Sequence, residues 1–149
     1  MKIGFACDHR GFNLKNFLMD VSKEKGHSVI DYGTYSRDSC DYPDYAVALT
    51  SGINEKKVDR GVLICYTGVG SSIAANKVKG IRAALVSNTK MAALTRKHNN
   101  SNVLVLGSGF LTRDDAKKIM LKWFATDFEG GRHLRRLRKI KKIEETNDV

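Results

Sequence analysis

At 149 residues the chain is long enough for one domain with a real core and short for two. A composition of 42% hydrophobic and 28% charged residues argues against disorder. Three cysteines, an odd number with no C-x-x-C spacing, argue against a disulfide framework or a zinc site and fit a reducing cytoplasm. No apolar run approaches the roughly 18 residues of a membrane span, so neither signal peptide nor anchor is expected. The net charge of +10 is concentrated, because seven basic residues and no acidic one lie between Arg132 and Lys142, leaving +3 elsewhere (10 − 7). Such a run is a phosphate- or nucleic-acid-binding segment or a solvated helix face, and the lack of Phe, Tyr or Trp from Arg132 onward argues against a single-strand binder.

In chain order, strand-like and helix-like segments alternate. Residues 2–7 read as a buried strand, and Leu14, Phe17, Leu18 and Val21 recur at helical spacing in a segment running to about Lys25. A second strand is expected over 27–32, a polar loop over 33–42, and a helix with Pro43 in its first turn running to about Lys56. The third strand, 60–65, ends at Cys65 and leads through a turn at 68–72 into a short helix to about Lys77. There follow a strand at 82–87, a helix at 89–98, a strand at 103–106 and an amphipathic helix at 112–125, opened by Thr112 with Asp114 and Asp115 in its first turn. This alternation with short connections predicts a doubly wound α/β sandwich on a parallel sheet, whose ligands bind beyond the carboxyl ends of the strands.

The turn Cys65-Tyr66-Thr67-Gly68-Val69-Gly70-Ser71-Ser72 is the centre of the reading. A strand, a tight turn and a helix N-terminus present unpaired backbone N–H groups that can hold phosphate or an oxyanion. Cys65 at its lip is either a nucleophile or base, or a small buried hydrophobe. Asp8 either caps the helix starting at Arg10 or Gly11 or serves catalysis. His9 and His98 taken singly read as surface histidines, Tyr42 as a packing residue, and Asn99, Asn100 and Asn102 as turn chemistry. Convergence distinguishes them, since the ends of the first three strands meet at one edge. His98 to Asn102 lead into the last strand and belong at the opposite edge of a single chain.

The motifs Cys7-Asp8-His9, Asp41-Tyr42-Pro43, Cys65-x-Thr67-Gly68-x-Gly70, Ala74-Ala75-Asn76-Lys77, Gly80-Ile81-Arg82-Ala83, His98-Asn99-x-x-Asn102 and Glu129-Gly130-Gly131-Arg132-His133 run in unbroken order from Met1 to about Glu145. Together they resemble the type B ribose-5-phosphate isomerase family, which also includes galactose-6-phosphate and allose-6-phosphate isomerases. The resemblance implies a five-stranded, three-layer Rossmann-like sandwich forming one domain over 1–149, with a basic helical tail at 129–149 reaching a partner subunit. It implies a homodimer, in some members a dimer of dimers, with sites at the interface and with neither cofactor nor metal.

It further implies that Cys65 removes the C2 proton of a sugar phosphate, favoured as thiolate by the adjacent helix start. Where members use a glutamate instead, it lies at the position matching Ser71, and serine cannot serve as that base. The N–H groups of Gly68, Val69, Gly70, Ser71 and Ser72 would meet the enediolate. Thr67 would move a proton between the two oxygens. Asp8 and His98 resemble the ring-opening pair, with His98 and Asn99 supplied by the partner, and Tyr42 belongs to the substrate pocket. Arg132 and Arg136, with His9, match the phosphate ligands, which leaves Lys139, Lys141 and Lys142 without a role. Relatives often carry one more phosphate-binding arginine where this chain has Gly109, and Arg113 is the substitute the sequence offers. The Asp-His pair and the cysteine favour a pentose over a hexose phosphate. Against a nucleotide-binding module, no G-x-G-x-x-G opens the first helix.

Overall fold

A computed structural model describes residues 1–146, so the last three positions of the expected tail lie outside the described residues. The three most apolar segments form the middle of one sheet: β1 (Lys2–Cys7), β3 (Arg60–Cys65) and β5 (Val103–Gly107), buried on both faces except at the first residue of β1 and of β3. The shorter β2 (Ser28–Asp31) and β4 (Ala83–Leu85) take the edges, giving the order β2-β1-β3-β5-β4 with every pairing parallel. Against one face pack α1 (Phe12–Glu24), α4 (Thr89–Asn99) and α5 (Arg113–Phe124), which bury Leu18, Ala92, Met120 and Trp123. Against the other pack α2 (Tyr42–Asn54) and α3 (Val69–Ala75) through Ala46, Leu49 and Ala75. This is the expected three-layer α/β sandwich.

Local chemistry closes the elements. The Thr112 hydroxyl accepts from the Asp115 N–H at 3.1 Å and the Asn88 amide oxygen from the Met91 N–H at 2.9 Å, capping α5 and α4. Asn76 pairs with both backbone groups of Ala83, at 2.8 and 2.9 Å, and so covers the exposed side of edge strand β4. Fully buried Trp123 donates its indole N–H to Ser101 at 2.8 Å, so its own donor is satisfied. Among the described residues no helix is long and apolar enough to cross a membrane.

The strand order positions the site. From β1 the chain moves outward to β2 on one side, whereas from β3 it moves toward β4 on the other, so the segments after β1 and β3 diverge and leave a crevice between them. A strap after β2 seals its far wall: Gly33 and Thr34 exchange backbone bonds with Cys7 at 2.7 and 2.8 Å. Lys15, fully buried in α1, donates to the Thr34 carbonyl and the Asp31 carboxylate, both at 2.6 Å.

Several bounds differ from the expected ones, as in β4, which spans 83–85 rather than 82–87. The helix after β3 begins at Val69 rather than after Ser72, because Gly68, at φ 80°, already makes the reversal. The last helix, α6 (Arg132–Thr146), turns back onto its own chain, where the Glu144 carboxylate accepts from the Gly80 N–H at 3.2 Å.

Candidate active site

Asp8, His9, Tyr42, Cys65, Thr67 and the glycine turn gather around the crevice between β1 and β3. Asp8 has both roles open to it. Its Oδ1 accepts from Arg10 and Gly11 N–H at 2.9 and 3.2 Å, capping the single 3-10 turn His9–Gly11, while its Oδ2 takes no hydrogen bond among the described residues. His9 receives the Cys40 N–H on Nδ1 at 3.3 Å, which makes Nδ1 the acceptor and leaves the ring proton on Nε2. Tyr42 opens α2 and lies over Gly70, where a Cβ would stand 2.6 Å from its ring.

Cys65 is 4% exposed and accepts the Gly68 N–H on its sulfur at 3.2 Å. The neighbouring backbone cannot carry side chains: at Gly68 a Cβ would meet Leu85 at 2.4 Å, and at Gly107, paired with Cys65, the Thr67 carbonyl at 2.6 Å. Of the five N–H groups expected to face an oxyanion, three have partners. Gly68 donates to Cys65, Val69 to the Thr67 hydroxyl at 3.1 Å, and Ser72 to the Gly68 carbonyl at 3.0 Å. Among the described residues Gly70 and Ser71 keep N–H groups with no acceptor, which leaves two donors free to meet an anion. The Ser71 side chain is buried, and its hydroxyl has no hydrogen-bond partner among the described residues.

The other two cysteines divide differently. Cys7 sits in the α1 side of the core, and burial pushes its thiol up to about 12. The neighbouring Asp8 carboxylate adds the smallest of the influences acting on it. Cys40 is half-buried with its sulfur 3.9 Å from His9 Nδ1, a contact its place in a polar loop did not signal.

The remaining candidates lie elsewhere. His98 and Asn99 end α4, beyond the amino end of β5, about 13 Å from the Cys65 edge by the rise of that strand. His98 stacks on His133 at 4.3 Å between centroids, and Arg132 and Arg136 are exposed on the first turns of α6 beside it. His133 had no assigned role in the sequence reading although it closes one of the quoted motifs. Burial, then His98, Arg132 and Arg136, lower its imidazole below the usual histidine range against a weaker upward pull from Glu129. His98, Glu129 and His133 bring potential metal ligands within 4.8 Å of one another, where the sequence suggested no metal site. The two flanking arginines oppose a cation there and favour an anion. Arg113 is placed over Phe17, 5.5 Å from its ring centre, and Lys141 faces Glu145 at 4.0 Å. Two clefts of about 810 and 550 Å³ run beneath α6 and contain neither Cys65 nor the glycine turn.

Comparison with known proteins gives a single answer. The chain is 46% identical over 144 residues to ribose-5-phosphate isomerase B of Escherichia coli, covering 97% of each. Its fold superposes on a ribose-5-phosphate isomerase B structure from Clostridium thermocellum with a TM-score of 0.97, 46% identity and 98% and 99% of the two chains covered. It also superposes on the Mycoplasma genitalium ribose-5-phosphate isomerase B with bound ribulose-5-phosphate, at a TM-score of 0.93, 44% identity and coverage of 97% and 96%. Residues 3–140 match the Ribose/Galactose Isomerase family, and the chain belongs to that family.

Proposed function

We propose that this chain is a cofactor-independent isomerase interconverting ribose 5-phosphate and ribulose 5-phosphate, with Cys65 as the base. The supporting observation is the turn after β3, where one sulfur accepting a backbone N–H lies beside two N–H groups that have no acceptor among the described residues. Asp8, together with His98 of a second copy, opens the furanose ring. The Cys65 thiolate then takes the C2 proton, and the resulting enediolate oxygen is held by the Gly70 and Ser71 N–H groups. Thr67 moves a proton between O1 and O2. Cys65 returns its proton to C1, so the reaction balances without oxidant or reductant.

The phosphate is held by His9 through Nε2–H and by Arg132 and Arg136 of the second copy, which makes the working unit a dimer or a dimer of dimers. The separation of the two residue groups by the length of β5 supports shared sites, because one chain cannot close both around a pentose. Three free cysteines support a reducing cytoplasm as its location. Solvent deuterium exchange at C2 of ribose 5-phosphate tests the assignment: Cys65→Ala should bind substrate yet lose exchange. Exchange at the parental rate in that variant would place the base elsewhere.

A further inference from the structure

We infer that Arg10 is a phosphate-binding residue of the sugar-phosphate site, carrying on the turn after β1 the charge that the segment after β5 lacks at Gly109. This rests on the isomerase reading above and adds a residue to it. At Gly109 a Cβ would stand 2.3 Å from Tyr66 Cε2 and 2.5 Å from its Cζ, so no side chain can leave that position while Tyr66 keeps its place. The ring that closes Gly109 is the one that carries Arg10, whose Cζ lies 4.2 Å from the Tyr66 centroid. Phe110 leans on the same ring at 6.0 Å and holds it from the side. The Arg10 backbone is fixed as well, its N–H bound to Asp8 at 2.9 Å and its carbonyl to the Ser108 hydroxyl at 3.0 Å.

Nothing neutralises this guanidinium. Among the described residues Arg10 enters no ion pair and its side chain makes no hydrogen bond, whereas Arg60, Arg82 and Arg96 are all bound to backbone carbonyls. A guanidinium stacked on an aromatic face keeps its forked donors directed outward, the arrangement that a phosphate monoester accepts from two sides. Its neighbour on the turn is His9. Successive side chains of a 3-10 turn diverge by about 120°, so His9 faces the Cys40 loop while Arg10 faces Tyr66, and the two flank the mouth of the crevice. Arg113, the substitute the sequence offered, is instead stacked on Phe17.

The test uses the full-length protein and two readouts, steady-state kinetics on ribose 5-phosphate and inhibition by inorganic phosphate. Arg10→Met keeps an apolar stem on Tyr66 and removes the charge. It should raise KM and the phosphate inhibition constant together by about tenfold or more, with kcat changed less than about threefold. Arg10→Lys should recover part of both constants and Tyr66→Ala, which unpins the guanidinium, should weaken both by less than Arg10→Met. The inference is overturned if Arg10→Met keeps both constants within about twofold of the parent, or if it lowers kcat and Tm while phosphate inhibition is unchanged. A parent that does not isomerise ribose 5-phosphate would sink the isomerase reading instead. Calorimetric binding of inorganic phosphate to the parent and to Arg10→Met would then decide the role of Arg10 alone.

Discussion

At the carboxyl ends of β1 and β3 the polar groups are set by backbone, whereas at the junction of α4 and α6 they are side chains standing on a surface. The first region has its donors fixed by a left-handed glycine, a two-donor turn and strands that pair Cys65 with Gly107. The second has two stacked imidazoles and two exposed arginines that enter no ion pair among the described residues. On the proposed function, the difference separates the groups that hold developing charge from those that a second copy brings. Donors that stabilise a developing oxyanion must be placed before the reaction, which backbone does well, while groups that seize a phosphate dianion can arrive on side chains from another subunit.

The largest expected effects break this division by disabling one region at a time. Cys65→Ala should lower kcat by about 10²–10⁴-fold with little change in KM, and His98→Asn should also inactivate. Mixed in equal amounts and allowed to exchange subunits, the two inactive proteins should regain about a quarter of parental activity, since half the dimers are mixed and each has one intact site. An inert mixture whose subunits demonstrably exchange would show that the two residues serve the same chain.

A smaller effect sharpens the recognition side. Arg136→Ala removes a charge-assisted contact of about 1.5–3 kcal/mol, so KM for ribose 5-phosphate should rise about ten- to a hundredfold while kcat holds. Equal affinity in the variant and parent would remove α6 from the phosphate site.

The smallest effect concerns His133. Its imidazole is lowered by burial and by its cationic neighbours, so as pH falls below the ordinary histidine value of 6.5 the unfolded chain takes up the proton first and stability drops. That loss is absent above 6.5 and complete once the pH passes the lowered folded value. Thermal melts of His133→Gln should therefore show a shallower decline on acidification than the parent; parallel declines would mean that His133 titrates normally.

Much of this was legible in the sequence. The apolar runs ending at Cys7, Cys65 and Leu106 announced the central strands, and the alternation of such runs with segments of helical spacing announced the layers. The crevice followed from the order of elements, and the misfit of His98 followed from its place just before β5. The start of α3 was not legible, because Val69-Gly70-Ser71-Ser72 is a poor helix former and only the left-handed Gly68 sets its first turn. For the same reason the sequence did not show which of the five N–H groups find partners within the chain, since that depends on where the helix begins. Tyr66, Gly109 and Arg10 gave no local signal, as residues 10 and 66 meet only after β1 and β3 have paired.

Ser108 gives this architecture a consequence for engineering. Its hydroxyl donates to the carbonyls of Arg10 and Cys65 at 3.0 and 3.3 Å, and its N–H to Cys65 at 2.9 Å, so one small side chain ties together the loops that follow three different strands. A substitution there would shift base, phosphate ligand and glycine turn together, whatever single property it was meant to tune. Redesign of the sugar preference is better begun at Tyr42, which touches the turn from another helix and can be reshaped without unfastening those loops.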